Sequence, residues 1–269
     1  DDAEQSGYCK AILGYNNELS STITGGYVGD ADYPLALAFD ESYHTEYSPD
    51  LAIDATSKVL YFYFTGLKQL NYFMIISKNA ADCGLSVNVE AYSAAAAAFQ
   101  TVAGFGSMTN GKPVMVYFGD LYASGYVDAL QLRVTLTYTS KPYIMSMMSG
   151  SAIVFQRTFS TGFQPSFAAY LDDVEQFYAD DGLNMTIGRR MAKGKELRGS
   201  INFVKMSILK VFWDEYANHV LNSKPICILW NNLKPDECIY GLQVPDRLTK
   251  PSYTNSLFSK VDFEVVGWS

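Results

Sequence analysis

The feature that most constrains this chain is a succession of short apolar runs, dense in β-branched and aromatic residues and bounded by Gly, Lys or Asn. Val59-Leu60-Tyr61-Phe62-Tyr63-Phe64 and Tyr72-Phe73-Met74-Ile75-Ile76 are two of them. Runs of that length and composition are buried strands, too short and too β-branched for helices. Leu85, Val87 and Val89 alternate with Ser86, Asn88 and Glu90, the period of a half-exposed strand. Leu130, Leu132, Val134 and Leu136 alternate likewise with Gln131, Arg133, Thr135 and Thr137. Val114–Phe118 and Tyr143–Met145 add two more strands. Six such strands predict a jelly roll or β-sandwich over residues 27–148. Residues 1–26 read as an arm or first strand. The alanines at 94–98 favour a helical turn packed over the sandwich end.

The text changes plan after residue 148. Residues 149–170 form a connector that carries Phe155, Phe159, Phe163 and Phe167, too many rings for a free linker. Residues 171–269 then read as a second β unit. Strands are expected at 171–178, 183–191 and 197–204, the first two separated by the turn signal Asp180-Asp181-Gly182. A helix follows over about 207–222. Ile208, Phe212, Tyr216 and Val220 recur every four residues, and Lys210, Asp214, Asn218 and Asn222 take the opposite face. Ser207 is the expected cap and Pro225 the stop. Strands at 225–230, 238–244 and 257–268 close a β-β-β-α-β-β-β pattern. The fold class is therefore mainly β.

Composition removes several functions. Of 269 residues 48% are apolar and 18% charged, which excludes a disordered chain. A run of about 18 apolar residues, the length of a membrane span, is absent. The net charge of −8 disfavours a nucleic-acid partner. The chain opens on Asp1-Asp2-Ala3-Glu4, so no signal peptide is expected within it.

Catalytic signatures are equally sparse. His44 and His219 have no His, Cys or Asp companion at ligand spacing. No Gly-x-Ser-x-Gly elbow or phosphate-cradling glycine loop occurs. Gly104-Phe105-Gly106 lacks the third glycine of a dinucleotide site. Carboxylates are plentiful, but no pair is singled out for glycosidase chemistry. Cys9, Cys83, Cys227 and Cys238 match no zinc or redox spacing. Buried free thiols are expected, with a Cys227–Cys238 bridge open if their strands pair. No catalytic residue, metal or cofactor is expected.

Two features point to contact surfaces. Asp172, Asp173, Glu175, Asp180 and Asp181 form an acidic block, and Arg189, Arg190, Lys193, Lys195 and Arg198 a basic one. These are two solvated hairpin edges or complementary halves of a subunit interface, where one copy meets the next. The twenty Tyr residues suit interfaces, since each joins an apolar ring to a polar tip. Tyr43, Tyr47 and Tyr126 sit in loop text and are candidates for glycan or protein contact.

The second half resembles virion proteins of tailed bacteriophages encoded near the tail tip. The resemblance runs over Asp181-Gly182-Leu183-Asn184, Ile187-Gly188-Arg189-Arg190, the amphipathic helix, Lys224-Pro225, Leu229-Trp230-Asn231, Tyr240-Gly241 and the closing Val261–Trp268 strand. Lys141-Pro142-Tyr143-Ile144 with Gly150 is similar to the junction that follows a discoidin-like jelly roll in such proteins. This resemblance implies a tail-tube-like β-sandwich in 171–269 and a structural subunit forming a homo-oligomeric ring, expected as a hexamer, in a distal tail, tail tip or adaptor. Its partners would be itself, other tail proteins and a host-surface glycan met by an outward sandwich. Its place would be the virion, after synthesis in the bacterial cytoplasm. A carbohydrate-binding module is the competing reading, and a glycan-degrading enzyme the third.

Overall fold

The computed structural model describes residues 10–19, 31–39, 45–51, 56–93, 97–106, 108–160, 162–165, 170–177, 187–243, 252–253 and 257–268, with backbone alone for 170–177, 187–194, 252–253 and 268. The molecule is built in layers. Strand β1 spans Ala11–Gly14, β2 Ser57–Leu70, β3 Tyr72–Ser77, β4 Ser86–Ser93, β5 Ala98–Phe105, β6 Pro113–Tyr117, β7 Val127–Thr137, β8 Ile144–Gly150 and β9 Ile153–Phe155. β2, β7, β4 and β5 form a four-stranded antiparallel sheet in that order, and β6, β3 and β8 a three-stranded one. Leu60, Phe62, Val87, Val89, Leu132 and Val134 from the first meet Phe73, Ile75, Val114 and Met147 from the second in one core. This is the sandwich expected from the alternating strands.

The second half adds β10 (Tyr170–Phe177), β11 (Ile187–Lys205), α1 (Met206–Leu221), β12 (Ile226–Leu229), β13 (Cys238–Gln243), β14 (Ser252–Tyr253) and β15 (Phe258–Trp268). Its eight-stranded sheet runs β10-β11-β15-β13-β12-β1-β9, with β14 on β15. The strand β1 thus sits between β9 from mid-chain and β12 from the second half. On one face Leu197, Ile201, Ile226, Ile228, Phe263 and Val265 pack on Leu209, Phe212, Tyr216 and Val220 of α1. On the other, Ile12, Cys227, Leu229, Cys238 and Tyr240 pack on Tyr72, Met74, Ile76, Met115 and Met148.

The three-stranded sheet is therefore buried on both faces. That is why Tyr72–Ile76 of β3 read as unbroken apolar text: alternate residues go to different cores, and neither face needs to be polar. Polar ties hold the layers together. The Tyr72 hydroxyl donates to the Asn16 carbonyl at 2.6 Å. Asn71 closes a two-way bond with the Ala152 backbone.

Several expectations are corrected. The strands read at 183–191 and 197–204 are one strand, β11. Its residues 187–195 pair with β10 and 195–205 with β15, so its pattern changes where its partner changes. The order before the helix is accordingly β-β. Strand β5 was not anticipated. Ala97 opens it with a positive φ of 49°, while 94–96 of the alanine run lie outside the described residues. Leu130 is 38% exposed rather than inward, because the pairing of β7 shifts by one residue beside it. Ser207 lies inside the first turn of α1. The residue before the helix is Lys205, without a side-chain cap.

Candidate functional site

Because the inner face of the four-stranded sheet is core, parity sends every other residue outward. The register places Tyr63, Gln131, Tyr92 and Phe99 opposite one another across β2, β7, β4 and β5. The next outward row is Tyr61, Arg133, Glu90 and Thr101, and the third is Val59, Thr135, Asn88 and Gly104. Four aromatic rings therefore share one outer face. Tyr61 and Tyr63 lie nearly parallel at 6.3 Å, with 20° between planes. Phe99 meets Tyr92 edge-on at 5.3 Å and Tyr61 at 6.5 Å. Tyr63 is 45% exposed, and Tyr61, Tyr92 and Phe99 are half-buried.

Arg133 organises this face. Its guanidinium gives Glu90 two hydrogen bonds of 2.6 Å and lies 4.4 Å from the centre of the Phe99 ring. The bonds to Glu90 hold the guanidinium protonated, against partial desolvation, with a further bond involving Tyr61. The pair is mostly covered, with side-chain exposures of 29% for Arg133 and 16% for Glu90. A bidentate, ring-covered arginine is fixed in place. The result is a surface of packed rings, Tyr61 and Tyr63 nearly parallel and Phe99 steep to its neighbours, with amide, hydroxyl and guanidinium groups among them.

A smaller aromatic cluster lies at the loop end of the sandwich. Tyr33 and Tyr143 meet at 5.4 Å. Lys141 Nζ lies 4.9 Å from one ring and 5.6 Å from the other, so a cation already sits over both. Lys78 and Glu46 pair nearby at 2.6 Å. This cluster reads as loop packing.

The residues expected from sequence fall elsewhere. Tyr47 is fully buried in the sandwich core, bridged to Ile144, and presents no ring to a ligand. Tyr126 is half-buried in the turn before β7, and Tyr43 lies outside the described residues. Asp172, Asp173 and Glu175 are on β10, at the edge of the large sheet. Arg189, Arg190, Lys193 and Lys195 are on β11 beside it. The register sets Asp172 opposite Lys193, Glu175 opposite Arg189 and Val174 opposite Arg190. Parts of the two blocks thus lie on neighbouring strands of one chain. Arg198 pairs with Glu196 and with Glu264, the latter at 3.2 Å. Asp180 and Asp181 lie outside the described residues.

The remaining chemistry is sparse. Cys83, Cys227 and Cys238 are buried free thiols. β12 and β13 do pair, but Cys227 stands opposite Tyr240 and Cys238 opposite Leu229. Burial, then Cys238 as neighbour, pushes the Cys227 thiol up and keeps it protonated. The Cys238 thiol donates to the Pro113 carbonyl at 3.3 Å. His219 bonds the Pro225 carbonyl at 2.9 Å and abuts Tyr15, a structural role. His44 and Cys9 lie outside the described residues. Among the described residues no three His, Cys, Asp or Glu side chains gather as a metal site.

Sequence reasoning missed Tyr61, Tyr63, Tyr92 and Phe99. Tyr92 was within reach, since Ser86, Asn88 and Glu90 already mark its parity as outward. Tyr61 and Tyr63 were not, because Val59–Phe64 is apolar throughout and hides its phase.

No family model and no curated protein matches this chain. Among solved structures, a chitosan-binding module of a chitosanase/glucanase from Paenibacillus sp. IK-5 is similar at 15% identity and a TM-score of 0.38, covering 51% of this chain and 99% of that one. A CBM32-1 module of a family 31 glycoside hydrolase from Clostridium perfringens matches at 7% identity and a TM-score of 0.41, covering 51% and 99%. A pectin-binding carbohydrate-binding module matches at 11% identity and a TM-score of 0.39, covering 51% and 93%.

Proposed function

We propose that this protein is a glycan-binding protein whose contact surface is the outer face of the four-stranded sheet. The observation that carries this reading is the outward row Tyr63, Gln131, Tyr92 and Phe99, backed by Tyr61 and the Arg133–Glu90 pair. One face of a pyranose ring bears only C–H bonds and lies flat on an aromatic ring. The hydroxyls around its rim need donors and acceptors beside that ring. This face supplies both, with rings concentrated in the first row and polar groups in the second. Its rings are held by one another and by Arg133, so little ordering cost falls on binding.

On this reading the protein binds and does no chemistry of its own. The subunit-interface reading drew its motive from charge blocks meeting between copies. The β10–β11 register sets Asp172 opposite Lys193 and Glu175 opposite Arg189 inside one chain, which supports reading those blocks as strand neighbours. The test is a glycan array with the full chain, followed by titration calorimetry on Tyr63→Ala. Loss of one stacked ring, about 1 kcal/mol, weakens binding by roughly five- to tenfold. Absence of binding to any glycan on the array sinks the proposal.

A further inference from the structure

We infer that the ligand of this face is an uncharged, chain-like glycan, held through internal units that lie across the strands. The inference rests on the proposed function and adds the chemical class.

Geometry gives the shape. The row Tyr63, Gln131, Tyr92 and Phe99 crosses four neighbouring strands, three spacings or about 14 Å. Its two ends, β2 and β5, are the edges of the sheet. A ligand lying along the row runs over both edges. A chain lying along the row meets Tyr63 over β2 and Tyr92 with Phe99 over β4 and β5, and the Tyr61 ring, 6.3 Å from Tyr63 and 6.5 Å from Phe99, joins them into one continuous path. The second row, one side chain along each strand, lies about 7 Å away and borders the path with Tyr61, Arg133, Glu90 and Thr101.

Electrostatics gives the charge. The only charged members of the three outward rows are Arg133 and Glu90, and they neutralise each other through two 2.6 Å hydrogen bonds. Arg133 is thereby a fixed donor scaffold with its charge already spent on Glu90. A uronate or sulfate approaching the face finds no cation in excess, and must approach a chain of net charge −8. A neutral chain bears no such penalty.

The full chain is titrated calorimetrically with a neutral hexose series from mono- to hexasaccharide, and by affinity electrophoresis against a neutral glucan, a neutral mannan and polygalacturonate. Affinity for the neutral series is expected to rise about tenfold or more from disaccharide to tetrasaccharide, as the chain comes to cover the whole path from Tyr63 to Phe99. It is expected to change less than twofold between about 50 and 500 mM NaCl, because no ion pair forms. Glu90→Gln, checked for folding by its thermal melt, frees the Arg133 charge and is expected to create polygalacturonate binding that salt removes. A wild-type chain that prefers polygalacturonate, with that binding lost in Tyr63→Ala, overturns the uncharged class and leaves the proposed function standing. Equal affinity for monosaccharide and tetrasaccharide overturns the chain-like class alone. No binding to any of these probes or to the array overturns both.

Discussion

Ser223 illustrates how a single residue here departs from what its position prefers. It follows the last turn of α1 with φ of +54°, in the left-handed region. The Lys224 amide bonds the His219 carbonyl at 3.2 Å and the Ser223 amide bonds Val220 at 2.9 Å, the six-to-one and five-to-two pattern of a helix end that usually carries glycine. A Cβ in that conformation costs roughly 1 kcal/mol, which glycine avoids. Ser223→Gly should therefore stabilise the protein by about that amount, raising the thermal midpoint by roughly 2–4 °C. An unchanged or lowered midpoint contradicts this account. The same scale explains why the aromatic residues were hard to assign. Tyr47 and Tyr63 are chemically identical, yet one is sealed in a core and the other 45% exposed. Only the strand phase and its partners separate them.

At the scale of elements, the β12–β13 hairpin shows a local sequence writing its own turn. The Glu237 carboxylate accepts from Lys234 Nζ at 2.8 Å and Asn231 Nδ2 at 2.9 Å, and its backbone closes on Lys234 and Trp230. The Lys234 bond comes first among the groups that hold this carboxyl below the usual carboxylate range. A lowered folded-state value means the stabilisation is present above the unfolded value, about 4.3, and disappears as pH falls through the folded one. Glu237→Gln should thus cost roughly 0.5–1 kcal/mol at pH 7, the range of exposed pairs. Urea melts at about pH 3 should bring variant and parent together; a pH-independent gap would mean the charge is irrelevant. Elements with such local signals were readable. The helix, expected at 207–222, occupies Met206–Leu221, and the strands expected at 225–230, 238–244 and 257–268 occupy Ile226–Leu229, Cys238–Gln243 and Phe258–Trp268. β5 was not, because Ala98-Phe99-Gln100-Thr101-Val102-Ala103-Gly104-Phe105 has weak alternation and three residues, Ala98, Ala103 and Gly104, with little strand preference. It is a strand because β4 pairs with it.

For the molecule as a whole, the three-stranded sheet decides cooperativity. It contributes Phe73 and Ile75 to one core and Tyr72, Met74 and Ile76 to another. Neither the sandwich nor the eight-stranded sheet can lose its partner without exposing that shared layer. Calorimetry should accordingly give one transition, with van't Hoff and calorimetric enthalpies equal. Tyr72→Ala should move that transition down as a unit, by roughly 3–5 kcal/mol. Two resolved transitions would mean that the layers melt separately. The sequence by itself determined the mainly β class, most of the sandwich strands and the helix, because period, turn residues and residue types are local properties. The tertiary structure decided that β1 sits between β9 and β12, that Asp172 and Glu175 on β10 stand opposite Lys193 and Arg189 on β11, and that Tyr61, Tyr63, Tyr92 and Phe99 share an outer face. Those are facts of register. A strand's pairing partner is fixed by which faces are buried against other layers, and an apolar run carries no mark of which of its two faces that will be.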